Sequence, residues 1–280
     1  MAKVGKFLLP VFCALCSAVM PALGVYVPEK MEFTDELLRG IQAEWKGDVL
    51  VLKQWKNTPE NIAVWVGIGK NASGFLLRYV LEKPIVKIVE EFNTEEERKV
   101  SVLTTRVPPE KYWEIIKNII PGSPIVGIPE FPETSLEYLK LAEETLKKHR
   151  LKSLRFSCPN EKELFKNIRL LSFDVLWLYP NPLVKDLRTV EYLVKTSIEW
   201  GKIPLGYEEI HTRKGALFSL SVDYFQLGRQ AARQAWKSYT LQQVSMEAPE
   251  KWTLTLNSKT SALFHFRIPS VLLKQAEKVY

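Results

Sequence analysis

Thr105 and Arg106 close an apolar run that starts near Val100. A guanidinium there offers a planar fork of donors that matches a carboxylate in bidentate fashion; its other use is a salt bridge between neighbouring elements. Further polar groups follow apolar runs in the same way. Glu130 and Thr134 come after 125–129, Tyr179 and Asn181 end 173–179, and Glu208 follows 204–207. Asp223 and Tyr224 follow 216–222. Glu130 and Glu208 can accept from a ligand ammonium, although a solvated loop acid reads the same way. Tyr179 and Tyr224 can stack on an aromatic ligand or simply pack in a core. Asp223 suits a helix N-cap, where a carboxylate accepts orphan backbone N–H groups. The turn Gly67-Ile68-Gly69-Lys70-Asn71-Ala72 can aim backbone N–H groups at a carboxylate, with Gly69, Asn71 and Ala72 nearest the helix start. It lacks the Gly-Lys-Ser/Thr ending of a phosphate loop.

Little in the chain points to catalysis. His149, His211 and His265 are far apart and have no metal-ligand spacing. There is no Gly-x-Ser-x-Gly elbow. The pairs Glu90-Glu91 and Glu208-Glu209 are adjacent in sequence, a weak basis for acid–base work. Cys158 follows Leu154 and Phe156 at alternate positions, which places it at a strand end. The expectation is a binder, with no enzymatic step, cofactor or metal.

The elements that must position these residues alternate. Strands are expected at 25–27, 48–54, 61–69, 84–92, 99–105, 125–129, 153–158, 173–179, 204–207, 216–222 and 252–256. Helices are expected at 33–46, 72–81, 109–120, 134–149, 161–171, 187–200 and 223–237. Strand–helix alternation implies α/β architecture with parallel sheets. The strands are too many for one compact sheet, so two doubly wound lobes joined by hinge crossovers are expected. In such sheets ligands sit beyond the carboxyl ends of the strands, where every polar group above falls.

With 280 residues, 46% apolar, the chain can bury a large core. The net charge of +7 is spread among acids, as in Glu95-Glu96-Glu97-Arg98-Lys99, and makes no nucleic-acid footprint. Residues 1–24 read as a secretory signal peptide: Lys3 and Lys6, an apolar run, then Ala22-Leu23-Gly24 with small residues at −3 and −1. A retained membrane anchor is the competing reading. Cys13 and Cys16 fall inside it, leaving Cys158 without a disulfide partner.

Segment 214–232 turns at Gly215, alternates through Leu217, Leu220 and Val222, caps at Asp223 and continues with Leu227, Gly228, Ala231 and Ala232. It resembles part of the solute-binding protein family serving ABC importers, which has the periplasmic-binding-protein type I fold. Other stretches resemble that family in the same order. They are Thr105-Arg106-Val107-Pro108-Pro109 leading to Tyr112-Trp113-Glu114, then 125–131, 173–182, 203–206 and 254–262. The match is weak over 25–92, where 53–60 is too short for the helix the family usually has, so the first lobe looks shortened. Asn181 stands where the family often has an acid, and Glu208 or Glu209 would replace it. The resemblance implies a first lobe of 25–106 with 217–249 and a second of 107–216 with 250–280. It implies a periplasmic or otherwise extracytoplasmic monomer that binds a small organic solute, an amino acid among the candidates, and delivers it to ABC permease subunits. A degenerate accessory or sensory module acting through protein partners is the alternative.

Overall fold

The computed structural model describes residues 20–55, 60–80, 82–90, 100–132 and 134–280. Residues 1–19, part of the expected leader, and Glu91, Asn93 and Glu133 lie outside them. The first lobe opens with β1 (Ala22–Tyr26), α1 (Thr34–Glu44), β2 (Val49–Leu52), β3 (Ile62–Ile68), α2 (Lys70–Tyr79), β4 (Ile85–Val89) and β5 (Val100–Thr104). The chain then crosses over to α3 (Pro109–Ile119), β6 (Ile125–Glu130), α4 (Leu136–Lys148), β7 (Lys152–Ser157), α5 (Glu161–Leu170) and β8 (Val175–Trp177). The same lobe continues with α6 (Leu187–Glu199), β9 (Ile203–Leu205), α7 (Glu209–Arg213) and β10 (Phe218–Val222). Helix α8 (Tyr224–Leu241) and β11 (Met246–Glu247) return to the first lobe. Finally β12 (Trp252–Leu256), α9 (Ser258–Leu263), α10 (Ser270–Gln275) and β13 (Lys278–Val279) complete the second.

Among the described residues the first lobe's sheet runs β11-β5-β4-β3-β1-β2, all parallel. The second runs β7-β6-β8-β9, also parallel. It extends through a Gly206–Ser219 bridge to β10, which pairs antiparallel with β12. Two expected boundaries meet these pairings. The expected first lobe includes 217–222, and that strand forms its ladder with β12 of the segment 250–280. Ala22, Leu23 and Gly24, expected within the leader, lie in β1 between β2 and β3.

Residue types explain the local structure. Ser135, Asn160, Asp186, Asp223 and Asn257 each accept a backbone N–H at the start of a helix, the role expected of short polar side chains. Strands β6 and β8 are buried along nearly their whole length, the pattern of inner strands in a parallel sheet. The small-residue face of α8 does what its composition suggests. A Cβ on Gly228 would stand 2.1 Å from the Leu37 carbonyl oxygen, and one on Gly40 would stand 2.0 Å from that of Phe225. Only glycine lets α1 and α8 cross so closely. No helix among the described residues is long and apolar enough to cross a membrane.

Candidate ligand-binding site

The first crossover holds one polar end of the site. Thr104 ends β5, and its Oγ1 accepts the Arg106 N–H at 3.1 Å. The Thr105 N–H donates to the Val89 carbonyl at 3.0 Å. These bonds fix the backbone where the chain leaves the first lobe. Arg106 is 5% exposed. Its guanidinium carbon lies 4.8 Å from the centre of the Tyr138 ring, a cation–π distance. Its Nε and Nη1 are buried and have no hydrogen-bond partner. A buried charge with unfilled donors is costly, and a carboxylate is the group that fills them best.

Residues from the second lobe's strand ends build the wall beside it. Tyr179 is fully buried, donates its hydroxyl to the Pro129 carbonyl, and stands 3.4 Å from Thr134 Oγ1. Burial pushes the Tyr179 hydroxyl up to about 12, against the opposing pull of Thr134 and of Arg106. Asn181 is buried; its Oδ1 accepts the Leu183 N–H at 3.0 Å and its amide faces Pro132 and Thr134. Phe131 and Tyr138 close the wall, with ring centres 5.5 and 6.0 Å from Tyr179. The structure thus brings Arg106, Thr134, Tyr179 and Asn181 into one neighbourhood.

A second polar end gathers acids from both lobes. Glu90 follows the end of β4, and Lys185 of the second lobe reaches across to it at 3.5 Å. Glu208 precedes α7 on the second lobe, and its side chain still reaches solvent. Partial burial raises its pKa, and the like charges of Glu32 and Glu90 add to this against the pull of Lys185. Tyr224 stacks on Phe33 at 4.3 Å. Burial raises its hydroxyl pKa, as do Glu208, Glu90 and Glu32. A positive group entering here would relieve that repulsion.

Other expected residues are committed elsewhere. The Glu130 carboxylate lies 3.2 Å from Arg155 Nε, on the strand beside it, so it already has a cation. Glu209 is held by Lys278 and Tyr280. The Gly69 N–H donates to the Ile88 carbonyl, Asn71 binds Glu29 at 2.6 Å, and Ala72 is fully buried in the lobe core. Asp223 caps α8 through the Gln226 N–H at 3.0 Å. Cys158 is buried, and burial pushes its thiol up to about 12, which leaves it unreactive. Among the described residues no three His, Cys, Asp or Glu side chains cluster for a metal. Sequence reasoning passed over Glu32 and Phe33, although they follow the end of β1 as the other site residues follow their strands. It also passed over Lys185, which carries no local signal.

Residues 43–280 match the profile of the family described as ABC transporter substrate binding protein. No protein of curated function matches the chain. Among solved structures, a conserved domain protein from Vibrio cholerae is 19% identical, with 93% of this chain and 100% of that one covered and a TM-score of 0.64. The ABC domain from Streptococcus pneumoniae in complex with L-Trp is 15% identical, with 93% and 100% covered and a TM-score of 0.63. The ligand-free, open structure of CD0873, a substrate-binding protein with adhesive properties from Clostridium difficile, is also 15% identical. There 92% and 99% are covered, with a TM-score of 0.71. At these identities the likeness is one of fold, and that fold is of the periplasmic-binding-protein type I kind.

Proposed function

This chain belongs to the ABC transporter substrate-binding protein family, and on that footing we propose that it is an extracytoplasmic receptor for a small organic carboxylate. The solute lies between the lobes and is handed to ABC permease subunits as a monomer–ligand complex, with no chemical step. Arg106 is the observation that carries this reading: a guanidinium 5% exposed, at the crossover, with two donors unfilled. A ligand carboxylate would satisfy them while the walls from both lobes exclude water. Contact with both lobes is what lets a ligand bias opening and closing, since only differential affinity moves that equilibrium. Glu208, Glu90 and Glu32 suit an amino group at the ligand's other end, which makes an amino acid the solute of choice. The L-Trp carried by the pneumococcal relative supports that choice.

The test is a thermal-shift screen of amino acids and other small carboxylates, followed by calorimetry on Arg106→Met. A ligand is expected to raise the melting temperature of the wild type. The variant should weaken binding about 30-fold or more, the loss of about 2 kcal/mol that follows removal of one partner of a buried charge pair. Without ligand, Arg106→Met should be at least as stable as wild type, because it removes an unsatisfied buried charge. A variant that unfolds readily and binds normally would make Arg106 a structural residue and sink the reading.

A further inference from the structure

The small residues that look like a protease signal at Ala22-Leu23-Gly24 have a packing explanation. Gly24 lies under the Trp65 indole: a Cβ there would stand 2.5 Å from Trp65 Cε3. Leu23 is completely buried in the first lobe's core. Both residues pair in parallel with β2 on one side and β3 on the other, Leu23 with Val49 and Val64, Gly24 with Leu50 and Trp65. The chain is anchored even earlier. The Trp45 indole N–H donates to the Pro21 carbonyl at 3.0 Å, and Met20 lines a groove with Trp45 and Trp236. A cut after Gly24 would remove three of the five residues of β1. It would also strip β2 of two of its four paired positions, and β1 is the strand that β2 pairs with among the described residues.

We infer that the exported chain is cut upstream of β1, between Ala18 and Val19. This rests on the extracytoplasmic reading above. Signal peptidases need small residues at −3 and −1 after an apolar core of about 7–15 residues behind a basic start. Cys16-Ser17-Ala18 supplies Cys16 and Ala18 at those places, Phe7–Leu15 supplies the core, and Lys3 and Lys6 supply the charge. The mature chain then begins at Val19, one residue before the groove that holds Met20, and keeps the whole of β1.

The experiment expresses the full chain in a bacterium, separates the extracytoplasmic fraction, and reads intact mass and N-terminal sequence. Protein outside the cytoplasm that begins at Val19 is the expected result, and Ala18→Gln should abolish that species and leave the precursor. Exported protein that begins at Val25, or that keeps residues 1–18, overturns the assignment while the export reading stands. So does an Ala18→Gln chain processed like the wild type. A chain confined to the cytoplasm with Met1 in place fails the export reading itself and takes this inference with it.

Discussion

The two lobes share a parallel sheet but cover it differently. In the second lobe α3 packs against α4 and α5 against α6, and one continuous apolar core runs from Val107 to Leu272. Trp177 sits inside it, completely buried, with ring centres of Trp113, Tyr112, Tyr138 and Tyr179 within 5.0–5.7 Å. The first lobe has two separate cores, one on each face of the sheet. Helices α1 and α8 cover one face. Among the described residues, α2 is the helix on the other, and aromatic rings supplement it: Trp55 is half-buried and meets Tyr26, Trp65 and Phe75 at 4.9–5.6 Å. Tyr79, stacked on Phe75, is 62% exposed. Large rings thus cover part of a face that helices cover in the second lobe. A lobe with a divided core has less cooperative reserve, so the first lobe is expected to yield before the second.

The largest expected effect tests that difference directly. Trp177→Ala should cost about 3–5 kcal/mol, as loss of a fully buried aromatic does. Tyr79→Ala should stay within about 0.5 kcal/mol, as surface changes do. Urea-unfolding midpoints on both variants decide the matter, and similar losses would mean that the lobes are equally well packed.

A somewhat smaller effect arises at His211 of the second lobe, which burial holds at a pKa of about 4. Its Nδ1 accepts the Tyr207 N–H at 3.1 Å and can do so only while unprotonated. Between pH 6.5 and 4 the unfolded chain binds a proton that the folded chain refuses. Stability is therefore intact above 6.5 and falls as the pH drops toward 4, by about 3 kcal/mol in full. Melting curves across this range should show the decline, and His211→Gln should flatten it. An unchanged acid limb in the variant would assign the decline to other groups.

The smallest effect belongs to the bridge between the lobes. Lys185 and Glu90 are both partly exposed, so Lys185→Ala should change ligand affinity by less than about fivefold, and high salt should erase the difference. A larger, salt-independent change would mean that this contact, rather than the ligand, holds the lobes together.

Much of this was legible in the sequence because its causes are local. Period-2 and period-3.6 apolar patterns marked most strands and helices, although the short elements α7, β11 and β13 carried too little pattern to be seen. Asp223 announced a cap because a short carboxylate reaches the backbone only a few residues on. Gly228, Ala231 and Ala232 announced a close helix crossing because nothing larger fits. Arg106 was visible as a cation at the end of a strand.

What the sequence could not decide was which partners meet. Glu130 and Glu208 read alike, yet Arg155 on the neighbouring strand neutralises the first, while acids of the opposite lobe crowd the second. Gly24 read as part of a cleavage signal, and nothing local showed that Trp65, forty-one residues on, lies across it. Strand β10 read as part of the first lobe, and only the fold showed that its ladder partner is β12. Local chemistry determined the elements and their caps. Pairing between distant strands determined which charges were satisfied and which, like Arg106, kept buried donors without a partner, because charge compensation depends on distance in space and not on order along the chain.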